Sequence, residues 1–146
     1  MTARLIQIAV DCADAHVLAD WWAETLDWVV EPTDAEFIKK MIAEGHAEEA
    51  HTTVHNGNLV WKSAAAITPA DQVGSPTRQR ILFQVVGEPK TVKNRIHLDV
   101  RPGEDDLDTL RASLEGRGAR FLWEGSEGPH RWYTMADPEG NEFCIG

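Results

Sequence analysis

A chain of 146 residues with 42% hydrophobic side chains suits one compact domain with a real core, while each half is too short to be a domain by itself. With 14 basic against 24 acidic side chains the net charge is -10, which repels phosphate backbones and excludes nucleic acid as a natural partner. No apolar run approaches membrane-spanning length, no secretory apolar core follows Met1, and Cys12 and Cys144 are too few for a disulfide scaffold, so a cytoplasmic protein with free thiols packed in its core is expected.

Residues 5–10 read as a first strand, with Ile6, Ile8 and Val10 on one face and Gln7 on the other. Asp11-Cys12-Ala13-Asp14 then offers a helix cap, and Leu18, Trp21, Trp22, Thr25 and Leu26 follow at helical spacing, forming a face that should cover that strand. Trp21, Trp22 and Trp28 belong to this core, and His16 is expected on the exposed side of the helix. A short strand over 28–31 stops at Pro32, and a second helix is expected from 34 through Phe37, Ile38, Met41 and Ile42. His46, His51 and His55 come next, among Glu44, Glu48 and Glu49. His51 and His55 have the spacing of two helical zinc ligands, but the β-branched Thr52, Thr53 and Val54 favour an extended chain that would split the pair. Residues 34–55 therefore read as a solvated acidic insertion. A turn at Asn56-Gly57-Asn58 precedes a strand over 59–67, 69–76 is loop, and 80–86 closes the first half.

The second half repeats this order. In a strand over 95–100, Ile96, Leu98 and Val100 oppose Arg95, His97 and Asp99. A helix over 105–117 carries Leu107, Leu110, Ala112 and Leu114 and ends at Gly118. Strands over 119–124 and 131–136, with His130 expected to begin the latter, lead through the tight turn Asp137-Pro138-Glu139-Gly140 to a last strand over 141–145. Setting 5–10 on 95–100 and 83–85 on 143–145 matches the apolar positions and puts Gln7 opposite His97 and Gln84 opposite Cys144. The expected fold is α+β: two βαβββ modules, 1–87 and 88–146, forming a cupped mixed sheet with helices on the outer face. The four polar positions would line the cup.

Several features around that cup invite chemistry. Trp61, Trp123 and Trp132 fall in strands expected to form its wall, and one facing inward would stack an aromatic ligand, with Trp132 a candidate. Arg78, Arg80, Lys90, Lys93 and Arg95 lie in a stretch whose only acid is Glu88, readable as a cationic rim for an acidic molecule or as a solvated linker. A Cys144/His97 nucleophile pair would need adjacent strands, with Asp99 as the orienting group. Phosphate-loop, nucleophile-elbow and Cys-x-x-Cys motifs are all missing from the sequence, which argues against a nucleotide-binding fold, an α/β hydrolase and a thioredoxin-like oxidoreductase.

The Asp11-to-Trp28 segment with its paired aromatics, the run Lys93-Asn94-Arg95-Ile96-His97-Leu98-Asp99 and the terminal Asp137-Pro138-Glu139-Gly140-Asn141-Glu142-Phe143-Cys144 resemble the vicinal oxygen chelate superfamily, in its glyoxalase-like branch beside bleomycin resistance proteins and dioxygenases. The resemblance covers nearly the whole chain apart from the insertion. It implies paired βαβββ modules, commonly completed in a homodimer. In metal-using members a divalent cation sits in the cup, and the matching positions are Gln7, Gln84, His97 and Cys144. His97 is a strong ligand and Gln7 offers an amide oxygen, but Cys144 stands where a carboxylate is expected, so no metal or a weakly bound divalent metal is the expectation. Two functions follow. One is a lyase- or isomerase-type enzyme acting on a carbonyl-bearing, acidic or aromatic molecule, with His97 as ligand or base, Gln7 and Gln84 orienting oxygen, Arg95 and Trp132 holding the ligand, and Asp99 or Glu142 supporting. The other is a non-catalytic protein that sequesters such a molecule, as antibiotic-resistance relatives do.

Overall fold

The computed structural model describes residues 2–146, and its contacts divide the chain into two units, Met1–Gly87 and Glu88–Gly146. In the first unit, β1 (Ile8–Cys12), α1 (Ala15–Leu26), β2 (Val29–Val30), α2 (Ala35–Ala43), β3 (Thr52–His55), β4 (Asn58–Trp61), β5 (Ala64–Thr68) and β6 (Ile81–Val85) follow in order. The second unit contains β7 (Asp99–Val100), α3 (Leu107–Gly116), β8 (Arg120–Glu127), β9 (His130–Ala136) and β10 (Glu142–Ile145). Each unit has a four-stranded mixed sheet, ordered β1-β6-β5-β2 and β7-β10-β9-β8, with the first strand parallel to the last and the others antiparallel. The same order in both units is the internal repeat expressed as topology.

Local chemistry explains the helices. Asp14 caps α1 by accepting from the Val17 amide, Asp34 caps α2 from the Glu36 and Phe37 amides, and Asp106 caps α3 from Thr109. The buried side of α1 sends Leu18, Trp21 and Trp22 onto a sheet face carrying Ile67, Ile81 and Phe83. The two indoles meet edge to face at 5.1 Å. In the second unit, Leu114, Met135, Phe143 and Ile145 are almost wholly buried, and each such side chain contributes roughly 1.5–3 kcal/mol by leaving water.

Several expectations are corrected. The first strand starts at Ile8, and β7 is only Asp99–Val100, so the apolar alternation in 5–10 and 95–100 outruns the pairing; Ile6 and Ile96 are 85% and 89% exposed instead of covered by helices. Cys12, not Ile6 or Ile8, is the buried residue of β1. The strand expected over 59–67 is broken at Lys62-Ser63, because β4 pairs with β3 in a separate hairpin while β5 joins the main sheet. That hairpin turns at Asn56-Gly57, both at positive φ (49° and 78°), which glycine adopts without strain. The insertion is more than a solvated segment, since its α2 buries Ile38 and packs against β4.

The register also revises the repeat. Cys144 lies beside Asp99, whereas Gln84 lies beside Asp11. Matching Gln84 to Cys144 therefore puts Ala9, not Gln7, at the place of His97. A two-residue offset preserves the face a side chain takes but changes its row, which apolar alternation alone does not register.

Candidate functional site

On the sheet face of the second unit opposite the buried Tyr133, Met135, Phe143 and Ile145, side chains fall into transverse rows. Asp99, Cys144, Thr134 and Trp123 make one row, and Gly146, Trp132 and Gly125 make the next. All of these but Gly125 line a cavity of about 350 Å³, together with Lys93, His97, Arg101, His130 and Glu142. Among the sequence candidates, His97, Asp99, Trp132, Glu142 and Cys144 thus share one wall. Arg95 is exposed and outside the lining, while Gln7 and Gln84 belong to the first unit. Thr134, Lys93, Arg101 and His130 were missed as lining residues; strand parity with Trp132 and Asp99 was the signal that could have found Thr134, His130 and Arg101.

His97 precedes β7 and is fixed from three sides. Its Nδ1 meets Asp99 Oδ1 at 3.0 Å, the Cys144 amide donates to the Leu98 carbonyl at 2.9 Å, and Glu142 accepts from the Asn94 amide at 2.9 Å and from Lys90 Nζ at 3.1 Å. Burial pushes the Glu142 carboxyl up, but the Asn94 amide, its own amide and Lys90 outweigh burial and hold it below the usual carboxylate value. Glu142 is thereby a tether for the segment bearing His97. At the start of β10, Asp137 Oδ1 accepts from the Glu139 and Asn141 amides, which shapes the turn leading to Cys144.

The ligand atoms of His97, Asp99 and Cys144 lie within 4.8 Å of one another, and Cys144 Sγ is 3.4 Å from Thr134 Oγ1. An imidazole, a carboxylate and a thiol this close can hold a divalent cation, and the sulfur suits a borderline-soft ion such as zinc better than a hard one. This trio is not the sequence-derived pair of His97 and Gln7: the Gln7 Oε1 accepts from Arg80 at 2.9 Å within its own unit.

The first unit holds a second cavity of about 550 Å³. His16, expected to be exposed, is buried there: its Nε2 bonds the Trp61 carbonyl at 2.7 Å and its ring lies 5.0 Å from that of His55. His55 Nε2 meets Asp20 at 2.6 Å, and Asn56 also donates to Asp20. His51 instead receives the Glu48 amide, so the spaced histidine pair is split by the strand as the β-branched residues predict. The Asp20 contacts fasten the β3–β4 hairpin to α1. On another wall, Glu31 accepts from Arg78 at 2.5 Å and from Arg80 at 2.9 Å. The expected cationic stretch is therefore largely neutralised, with Arg78 and Arg80 on Glu31 and Lys90 on Glu142.

Residues 7–146 match the family described as a glyoxalase-like domain. No curated protein is matched by the sequence. The fold is similar to that of the fosfomycin resistance protein FosX from Mesorhizobium loti, at 11% identity and a TM-score of 0.61, covering 99% of this chain and 91% of that one. It is also similar to a member of the glyoxalase/bleomycin resistance protein/dioxygenase superfamily from Sphaerobacter thermophilus, at 15% identity and a TM-score of 0.55, covering 99% and 96%. The oxidase ChaP-H2 gives 16% identity and a TM-score of 0.54, covering 99% and 93%. Among the described residues, no helix is long and apolar enough to cross a membrane.

Proposed function

From the premise that this chain belongs to the glyoxalase-like domain family, we propose that it is a single-domain, cytoplasmic, homodimeric protein that binds a small carbonyl-bearing or acidic molecule beside His97 and carries out lyase- or isomerase-type chemistry on it. The observation that supports this reading best is the joining of His97, Asp99 and Cys144 on the wall of one cavity. With Nδ1 donating to Asp99, the imidazole of His97 has Nε2 free to accept a proton from the carbon next to a bound carbonyl and return it elsewhere. Thr134 and Cys144 would meet the ligand's oxygen. Were a divalent cation held instead by His97, Asp99 and Cys144, the imidazole would serve as a ligand and not as the base, and the cation would supply Lewis-acid polarisation of that oxygen.

Sequestration without turnover is the second reading, and Cys144 at the position of the family carboxylate favours it. Fold likeness does not choose between them, because similar folds serve a fosfomycin resistance protein and an oxidase. The test is a thermal-shift screen of aldehydes, ketones and organic acids, repeated on His97→Ala and Cys144→Ser. Compounds that stabilise the native protein should lose their effect in both variants. Stabilisation that survives in both would overturn the assignment, and conversion of a hit in the parent protein, absent in His97→Ala, separates enzyme from binder.

A further inference from the structure

Resting on that reading of the cavity, we propose that Trp132 is a flat stacking platform and that the ligand is a planar aromatic anion. Two glycines flank the Trp132 side chain. Trp132 pairs with Gly125 across β9 and β8, and Gly146, the residue after β10, lies on its other side. A Cβ on Gly125 would come within 2.4 Å of indole atoms Cε2 and Cζ2 and 2.6 Å of Nε1, so the ring lies directly on the bare backbone of Gly125. A Cβ on Gly146 would meet the Trp132 Cβ at 2.6 Å and the Arg131 carbonyl at 2.8 Å. No other residue at 125 would let the indole lie down. An indole seated on the sheet turns its opposite π-face to the cavity it lines, and the His130 ring, which lines the same cavity, lies with its centroid 5.7 Å from that of Trp132 and its plane inclined by 33°. A ring-shaped ligand gains most from such a surface, because stacking requires matching flat area.

The charge of the ligand follows from what surrounds the platform. The two acidic side chains of the cavity already face cationic or N–H partners: Asp99 meets His97, and Glu142 takes Lys90 and the Asn94 amide. Among the described residues, Lys93 bonds only a backbone carbonyl, that of Asn94, and is not paired with an Asp or Glu side chain. Arg101 stands next to the platform row, where its Nη1 holds Gly146 at 2.7 Å and its remaining N–H groups are available to a carboxylate or enolate. A planar ring on Trp132 with its anionic group toward Arg101 or Lys93 would bring a neighbouring oxygen to Thr134, Cys144 and His97.

The experiment uses calorimetry with three probes: 1-naphthoate, cyclohexanecarboxylate with the same charge but no planar ring, and uncharged 1-naphthalenemethanol. Native protein should bind naphthoate at least about tenfold tighter than cyclohexanecarboxylate, the scale of one aromatic contact. Trp132→Leu should erase that difference by weakening naphthoate alone. Gly125→Ala, which lifts the indole, should do the same, and Trp132→Leu keeps the test decisive if the alanine variant fails to fold. Arg101→Gln should weaken both acids and leave the alcohol unchanged. Equal binding of the two acids, or a Trp132→Leu protein holding naphthoate within about twofold of native, overturns the platform. If His97→Ala abolishes binding of both acids while Trp132→Leu does not matter, the cavity reading stands and only the platform falls. If no probe binds, the platform falls, while the cavity reading stands or falls by the screen of aldehydes, ketones and organic acids.

Discussion

Replacing Glu31 by Gln removes the charge that Arg78 and Arg80 share while keeping the side chain's size. Glu31 is 17% exposed and its partners 28% and 24%, so the cluster lies between surface ion pairs, worth about 0–1 kcal/mol, and fully buried ones, whose breaking costs about 3–5 kcal/mol. A loss of about 2 kcal/mol at neutral pH is expected, since glutamine still offers one acceptor oxygen. For a chain of this size that is a fall in Tm of roughly 4–8 °C. The effect must also depend on pH. Burial pushes the Glu31 carboxyl up, but the hydrogen bonds and charges of Arg78 and Arg80 outweigh burial, and its value in the fold lies below the ordinary 4.5. A carboxyl depressed in the folded state stabilises fully above its unfolded value and loses that stabilisation as pH falls through the folded one. The gap between native and variant proteins should thus be complete at about pH 6 and shrink toward about pH 3. Urea unfolding followed by tryptophan fluorescence at several pH values measures it. A gap below about 0.5 kcal/mol at neutral pH, or one unchanged in acid, would refute the reasoning.

The other predictions concern metal, assembly and the hairpin. Protein purified without added metal should carry well under one divalent ion per chain, whereas added cobalt should produce a thiolate charge-transfer absorption that Cys144→Ser removes; elemental analysis near one ion per chain, lost in His97→Ala, contradicts weak binding. Light scattering at micromolar concentration should give twice the 16.3 kDa chain mass, and a single-chain mass would defeat the homodimer. His55→Ala should speed hydrogen exchange in β3 and β4 by freeing the hairpin from Asp20, without altering ligand binding beside His97; unchanged exchange would show that this contact fastens nothing.

The elements were largely legible because each carries a local signal: Asp14 and Asp34 as caps, Asn56-Gly57 as a turn, and buried Tyr133 and Met135 alternating with Trp132 and Thr134. Pairing was less legible, since a strand needs a partner as well as a pattern. Residues 5–7 and 95–98 have the pattern and extend beyond the ladder. The same limit explains His16, whose burial depends on Trp61, 45 positions away. In the site, His97, Asp99 and Cys144 were readable from strand parity and the terminal motif, but their proximity required the β7–β10 register. The role of Gly125 was hidden because a lone glycine in a strand gives no hint of the indole lying on it.

The central claim, that small molecules bind beside His97 in the second unit, is tested most directly by the tryptophan indole resonances in nitrogen-15 NMR spectra. Trp123 and Trp132 line the cavity of the second unit, Trp61 lines that of the first, and Trp21 and Trp22 are buried on the inner side of α1. Titration with 1-naphthoate should move the Trp132 and Trp123 indole signals together with the His97 and Cys144 amides, leave Trp61 in place, and lose these shifts in His97→Ala. Movement of Trp61 with the His16 and His55 signals, while Trp132 and Trp123 stay fixed, would contradict the account.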